Sequence, residues 1–458
     1  MHPLLARPEF RRYLVGQTLS VLGDSALSIA LGIWAKVLTG SNSAAGLVLF
    51  CFAAPLLLLP LGGLLADRVR RRPLLVGVNL TVAAGLTPLL LVDGPDRVWI
   101  IYCTASLCGL AGAVLAPAQS ALLRTILTDR QDFGAAAGFT QSARAGTTLV
   151  APLLGSGLYS WLGGHAVALA DLGVLLLAAL AFLGLRADEP TPEPSGRRWR
   201  TEVLAGFAHL RGATGLRPLV AATAVTGFVL SLLQPVLFAL TQHGLHRPPQ
   251  FLGVLETTEA VGALGGSVVG GLLIGRLGPR RTVMAGSVVF GLGTILLLAP
   301  SLPVVAAGLV IAGAGIPAAM VGLATAAQAA TPPQLMGRAQ AAVNLSLTAP
   351  QALAVGVGSG LVAGLDFRVV LAVMVLGALL AAVHLLGKPE APTEPGAPTE
   401  PGAPSESEAA AEPGAAAQPE SSTEPAGLAG SEASAESEAP AGSERTAEPG
   451  GAPDLQRT

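Results

Sequence analysis

Gly62-Gly63-Leu64-Leu65-Ala66-Asp67-Arg68-Val69-Arg70-Arg71-Arg72-Pro73-Leu74-Leu75 decides the fold. Between residues 44 and 92 the only charges are the five inside this segment, and apolar runs flank it at 44–66 and 73–92. Each run has the roughly 20 residues needed to cross a bilayer core as a helix. The segment therefore reads as a short charged turn between two membrane helices. Its four arginines suit the cytoplasmic face, where basic residues accumulate.

Working outward, apolar runs recur at about 13–38, 44–66, 73–92, 98–123, 134–160, 166–186, 218–241, 250–274, 281–299, 303–329, 338–363 and 367–387. The runs are continuous rather than alternating, which argues against a β-barrel. The first has no small-residue cleavage pattern and reads as a helix rather than a signal peptide. Composition agrees: 51% of the 458 residues are hydrophobic and 12% charged, against about 25% charged in soluble domains. With the N-terminus inside, 20 basic residues fall on the cytoplasmic side and 4, Lys36, Arg97, Arg247 and Arg368, on the other. Both termini are expected in the cytoplasm and the protein in the cell (plasma or inner) membrane.

The net charge of −2 conceals two parts. Residues 388–458 carry 14 acidic and 3 basic groups in an Ala/Glu/Pro/Ser/Gly-rich tail, while residues 1–387 carry 24 basic and 15 acidic groups. Such a tail cannot bury enough surface to fold and is expected to be disordered. Expected domains are residues 1–186, six helices; 187–216, a cytoplasmic linker; 217–387, six helices; and 388–458, the tail. Within the linker, Arg198-Trp199-Arg200-Thr201-Glu202-Val203-Leu204 and its sequel have apolar residues at helical spacing, as in a surface amphipathic helix.

The halves repeat. Gly62-Gly63-Leu64-Leu65-Ala66-Asp67-Arg68 recurs as Gly270-Gly271-Leu272-Leu273-Ile274-Gly275-Arg276, and Ala151-Pro152 matches Ala349-Pro350. Internal repeats are frequent in secondary transporters.

These residues resemble the major facilitator superfamily. Gly63 through Leu75 looks like its loop signature Gly-x-Leu-Ala-Asp-Arg-x-Gly-Arg-Arg-x-x-Leu, with Arg70 at the second glycine, which the second copy keeps as Gly278. Glu9-Phe10-Arg11-Arg12-Tyr13-Leu14-Val15-Gly16-Gln17 with Ser20-Val21-Leu22-Gly23-Asp24 is similar to the branch of enterobactin and macrolide exporters. Gly146 and Ala151-Pro152-Leu153-Leu154-Gly155-Ser156-Gly157 resemble, more loosely, the Gly-Pro-x-x-Gly-Gly antiporter motif. Helix four lacks the embedded arginine of many proton antiporters of that superfamily. The resemblance implies an all-α integral membrane protein of twelve transmembrane helices in two pseudo-symmetric six-helix bundles, working by alternating access. It implies a gate at Gly63, Asp67, Arg68, Arg71 and Arg72.

Charges inside a membrane are costly and mark functional sites. Asp24 lies about 17 Å into the first run. Arg144 is the one basic residue inside the first half and is expected to pair with Asp24 or to bind an anion. Glu256 and Glu259, three apart, share a helical face and suit a proton or cation site, unless the helix begins later and Glu256 meets outside water. Asp171, near the outer end of its run, reads as solvated or capping. The glycines 262, 265, 266 and 270 follow no strand and read as a helix-packing stripe. Cys51, Cys103 and Cys108 fit no metal or redox spacing and read as core hydrophobes.

No Gly-x-x-x-x-Gly-Lys-Ser/Thr, His-Glu-x-x-His or Gly-x-Ser-x-Gly occurs. The expectation is a transporter and no enzyme, with no cofactor, metal or nucleic-acid partner. It is a monomer in the lipid bilayer, exporting small hydrophobic compounds such as drugs against protons. A dedicated metabolite or siderophore exporter, an importer, and a scaffold or sensor acting through the tail are the other readings.

Overall fold

The computed structural model describes residues 3–127, 132–185, 207–208, 211–212, 215–331 and 335–388. Every regular element among them is helical. α1 (Pro8–Thr39) is followed by α2 (Asn42–Ala53), which runs through a 3-10 turn, Ala54–Leu58, into α3 (Leu59–Arg68). Then come α4 (Arg71–Leu86), α5 (Val98–Ile126) and α6 (Asp132–Leu183). After the linker lie α7 (Leu216–Ser231), α8 (Leu233–Ala239), α9 (Leu252–Leu296), α10 (Leu302–Ala330), α11 (Met336–Gly364) and α12 (Phe367–His384). The linker apart from residues 207–208, 211–212, 215 and 216, and the tail beyond 388, lie outside the described residues.

Among the described residues, ten helical stretches are long and apolar enough to cross a membrane. Two are too long for one crossing. α6 has 52 residues and α9 has 45, whereas at about 1.5 Å per residue some 20 suffice. Each contains one backbone break, at Gly163 (φ 77°, ψ 179°) and at Gly278 (φ 76°, ψ 168°), which precedes Pro279. Each break falls between two of the expected apolar runs, 134–160 and 166–186 in α6, and 250–274 and 281–299 in α9. The sequence suggested connections of several residues here; a single glycine makes each turn. These φ/ψ values belong to a region open essentially to glycine alone, and another residue there costs about 1–3 kcal/mol. A Cβ at Gly163 would meet nothing within 4 Å, so backbone strain is the whole penalty. Gly163→Ala should lower thermal stability by about that amount, measured as the unfolding midpoint of the detergent-solubilised protein; an unchanged midpoint would contradict the break.

Elsewhere the turns follow local chemistry. α1 ends on Gly40 (φ 71°), whose N–H bonds the Lys36 carbonyl. Ser41 then caps α2 by accepting from the Ala44 N–H at 3.4 Å. Asp366 caps α12 through the Arg368 N–H at 2.8 Å.

In lipid, helices associate by close packing rather than by the hydrophobic effect, which favours small residues at contacts. Gly262, Gly266 and Gly270 of α9 lie against the backbone of Val310, Ala314 and Ala318 of α10. This is the packing stripe read from the sequence, with Gly265 facing open space. The repeat also appears in three dimensions. Arg72 donates to the Leu183 carbonyl at the end of α6, and Arg280, ten residues past Gly270 as Arg72 is past Gly62, donates to the Lys388 carbonyl beyond α12.

Contacts between the segments before and after the linker gather at the helix ends that charge placement assigns to the outer side. Lys36 Nζ of α1 donates to the Phe238 carbonyl of α8 at 3.0 Å and stands 5.7 Å from that ring's centroid. Gly46 of α2 lies against Ser359 of α11, and Gly253 of α9 against Pro152 and Ser156 of α6. Thr257 Oγ1 donates to the Leu149 carbonyl at 3.1 Å.

Candidate functional site

Two carboxylates meet inside the first six segments. Gly164 packs on the Trp34 indole, which draws the second arm of α6 flush against α1. Asp171 follows about two turns later and its side chain presses on Gly23, where a Cβ would overlap it. Asp171 is 5% exposed, and neither of its oxygens has a hydrogen-bond partner. Asp24, beside Gly23, is half-buried and within electrostatic reach of Asp171. Buried Cys108 of α5 lies near both. The expectation of a solvated or capping Asp171 is therefore corrected. Its helix starts immediately after Gly163, and the face bearing it is the one sealed by α1.

Arg144 does not join this pair. Gly155 of α6 lies on the backbone of Ala26 of α1, and the two segments run parallel, so this contact sets their register. Eleven residues earlier on each helix stand Arg144 and Val15. Arg144 is exposed and acts electrostatically on Tyr13, roughly 16 Å along α1 from Asp24 at 1.5 Å per residue. The pairing of Arg144 with Asp24 suggested by sequence is not made.

The second pair is Glu256 and Glu259. α9 starts at Leu252 after a 3-10 turn at Pro249–Phe251, so the helix does not begin later, as the rival reading required. Both glutamates are half-buried and within electrostatic reach of each other. A Cβ built on Gly313 of α10 would stand 3.2 Å from Glu259 Cγ, so the glycine leaves room for this side chain. Thr257, between them, bonds across to α6. The pair thus sits on the helix at the meeting of the first and second sets of segments. No ion pair is recorded for either glutamate among the described residues. Carboxylates in apolar surroundings with no basic partner are suited to taking up a proton or a cation.

In the charged loop, a Cβ built on Gly63 would stand 4.0 Å from Pro117 Cβ of α5. Arg71 donates to Thr125 Oγ1 at 3.4 Å and Arg72 to the end of α6, so both arginines tie the loop to its own half. Arg68 is exposed; the side chain of Asp67 lies outside the described ones. In the antiporter-like segment, Gly146 faces open space. Pro152 is buried, and its carbonyl accepts from Ser156 Oγ at 2.7 Å. Gly155 makes the close approach to α1. Among the described residues no group of three or more His, Cys, Asp or Glu could hold a metal ion.

Sequence reasoning missed two positions. Asp171 carried a readable signal, an acid inside an apolar run. Lys36 was read as an outer charge, yet it is 3% exposed and bridges to Phe238.

A helical membrane body of apolar segments with buried acids is the build of a polytopic membrane transporter. A family model described as Major Facilitator Superfamily matches residues 13–246 and 219–424, and the chain belongs to that superfamily. It is 24% identical over 307 residues to Macrolide efflux protein A of Streptococcus pyogenes, covering 64% of this chain and 73% of that protein. It is 32% identical over 248 residues to Puromycin resistance protein pur8 of Streptomyces alboniger, 51% of this chain and 47% of that protein. Among solved structures, a point mutant of the nucleoside transporter NupG superposes with a TM-score of 0.67 at 14% identity, over 83% of this chain and 99% of that one. The superfamily and the likeness to macrolide exporters read from the sequence are borne out, and the chain is a multi-pass membrane protein.

Proposed function

We propose that this protein is a proton-coupled drug exporter working by alternating access as a monomer in the cell membrane, with both termini cytoplasmic. The kinship with a macrolide efflux protein and a puromycin resistance protein supports efflux of such compounds. The observation that carries the coupling is the Glu256/Glu259 pair, two acids with no recorded ion pair on the helix where the halves meet. Asp24 is a further proton or substrate position. The cross-half contacts at the outer ends support a state closed outside and accessible from the cytoplasm. In this reading a drug enters from that side and the halves rock about the centre. Proton uptake on a carboxylate, thermodynamically linked to drug release, resets the cycle. The Asp67/Arg68 loop would gate the cytoplasmic side, with Arg71 and Arg72 anchoring it.

The test is accumulation of erythromycin and puromycin in efflux-deficient cells. Cells producing the protein should accumulate several-fold less of at least one compound, and a protonophore or Asp24→Asn should restore accumulation. Equal accumulation, with the protein verified in the membrane, would overturn drug export and favour a dedicated metabolite transporter. Deleting residues 388–458 should leave efflux intact; lost efflux would point to the tail as the working part.

A further inference from the structure

Lys36 is a charged side chain closed between the two sets of segments at their outer ends. It stands three residues before the end of α1 and is 3% exposed. Its Nζ donates to the Phe238 carbonyl at 3.0 Å and lies 5.7 Å from that ring's centroid. One turn earlier, a Cβ on Gly32 would stand 3.0 Å from Phe238 Cζ, so a single turn of α1 clasps this phenylalanine. α8, which carries Phe238, passes straight into a π turn at Leu240–Gly244, a rare form that gathers at functional sites.

A carbonyl and a ring are meagre company for a buried ammonium. The group has three N–H donors, and one carbonyl accepts from it. No carboxylate pairs with it among the described residues. Asp24, the nearest acid along α1, lies about 18 Å away at 1.5 Å per residue. An ammonium is strongly hydrated, and burying it without a counter-charge is costly. That cost belongs to one state only. With the outer ends apart, a lysine this close to its helix end lays its stem along the apolar wall and keeps its head in the outer water. The export reading above makes no use of this group.

We propose that burial of the Lys36 ammonium against Phe238 acts as a spring in the outer gate: it raises the free energy of the outside-closed state and so drives the outer ends apart. The contact has the look of a latch, and the proposal has the opposite sign. Closure comes from close-packed contacts such as Gly46 on Ser359 and Gly253 on Ser156. The buried charge holds that closure near balance, so the outer side can open in each cycle. Without the charge the protein stalls facing the cytoplasm. The inference rests on alternating access, and its test tells a failure of the one from a failure of the other.

The test is the rate at which a membrane-impermeant maleimide, added outside, labels Thr257→Cys in the full chain lacking Cys51, Cys103 and Cys108. Position 257 lies in the outer contact with α6, and without drug or gradient its labelling rate follows the outside-open population. Lys36→Gln removes the charge but keeps an N–H donor for the Phe238 carbonyl, and should slow labelling about tenfold, the scale of a buried unsatisfied donor. Lys36→Met removes the donor as well and should slow it less. Lys36→Arg keeps the charge and should label near the parent rate. Ser301→Cys, at an exposed position before α10, should label equally in every background and so reports insertion and folding. Faster labelling in Lys36→Gln and Lys36→Met would overturn the proposal and make the contact a latch. Unchanged labelling in both, while Gly46→Leu speeds it, would remove Lys36 from the gate and leave alternating access standing. No response to any of these substitutions would overturn both.

Discussion

Glu259→Gln should abolish proton-driven efflux, reducing drug transport in response to an imposed pH gradient in proteoliposomes by at least tenfold. Glutamine preserves the volume and the hydrogen-bonding reach of the side chain but cannot take up a proton. Packing against Gly313, where Glu259 Cγ would lie 3.2 Å from a Cβ, is unaffected, so the amount of protein in the membrane should not change. Glu256→Gln should have the smaller effect. Glu256 stands five residues into α9, closer to the outer end of the helix, whereas Glu259 is almost a turn deeper. The two lie within electrostatic reach, so their substitutions should be non-additive: the double variant should be no worse than Glu259→Gln alone. Drug binding without a gradient should survive in Glu259→Gln, because the residue is assigned to coupling. Unchanged gradient-driven efflux in Glu259→Gln would remove this pair from the mechanism and leave Asp24 as the candidate.

Much of this architecture is legible in the chain because a bilayer imposes a simple rule, long apolar runs with charges between them. Arg72 and Arg280 show how far the rule extends: two arginines at matching places in a repeated segment hold matching helix ends. The legible part stops where charge punctuation stops. The run around Gly163 is apolar up to the break, so a one-residue turn there has the same hydropathy as a longer loop, and at Gly278 the charges of Arg276, Arg280 and Arg281 mark a turn without giving its length. Partners distant in sequence were also hidden. Lys36 looks like an ordinary outer charge until Phe238, 202 residues away, is placed over it. Asp171 looks like an end-of-helix acid until Gly23 is placed against it. Arg144 and Asp24 looked like natural partners by sign, and the register set by Gly155 on Ala26 keeps them apart. Charge and periodicity say which residues are expensive to bury, and only helix packing says beside what.

Gly46→Leu and Gly253→Leu should each stop efflux by holding the outer side apart. A Cβ at Gly46 would stand 2.8 Å from Ser359 Cβ and 3.2 Å from its Cα, and one at Gly253 would stand 2.8 Å from Ser156 Cβ. Both contacts cross between the segments before and after the linker, so the strain exists only when the outer ends are together. Overpacking of this kind costs about 1–3 kcal/mol, which is about 5- to 150-fold in the balance of two states. Efflux should fall at least fivefold while the amount of folded protein holds. The trapped state is read by labelling Thr257→Cys with a membrane-impermeant maleimide in protein lacking Cys51, Cys103 and Cys108. Labelling should be slow in the parent, where position 257 lies against the Leu149 carbonyl of α6, and several-fold faster when Gly46→Leu is added. Gly155→Leu provides the contrast. Its clash is with the Ala26 backbone inside the first half, which has no state without that contact, so the amount of folded protein should fall instead. If Gly46→Leu leaves efflux and labelling unchanged, the outer contacts are fixed features of the fold, and the transport cycle does not pass through their opening.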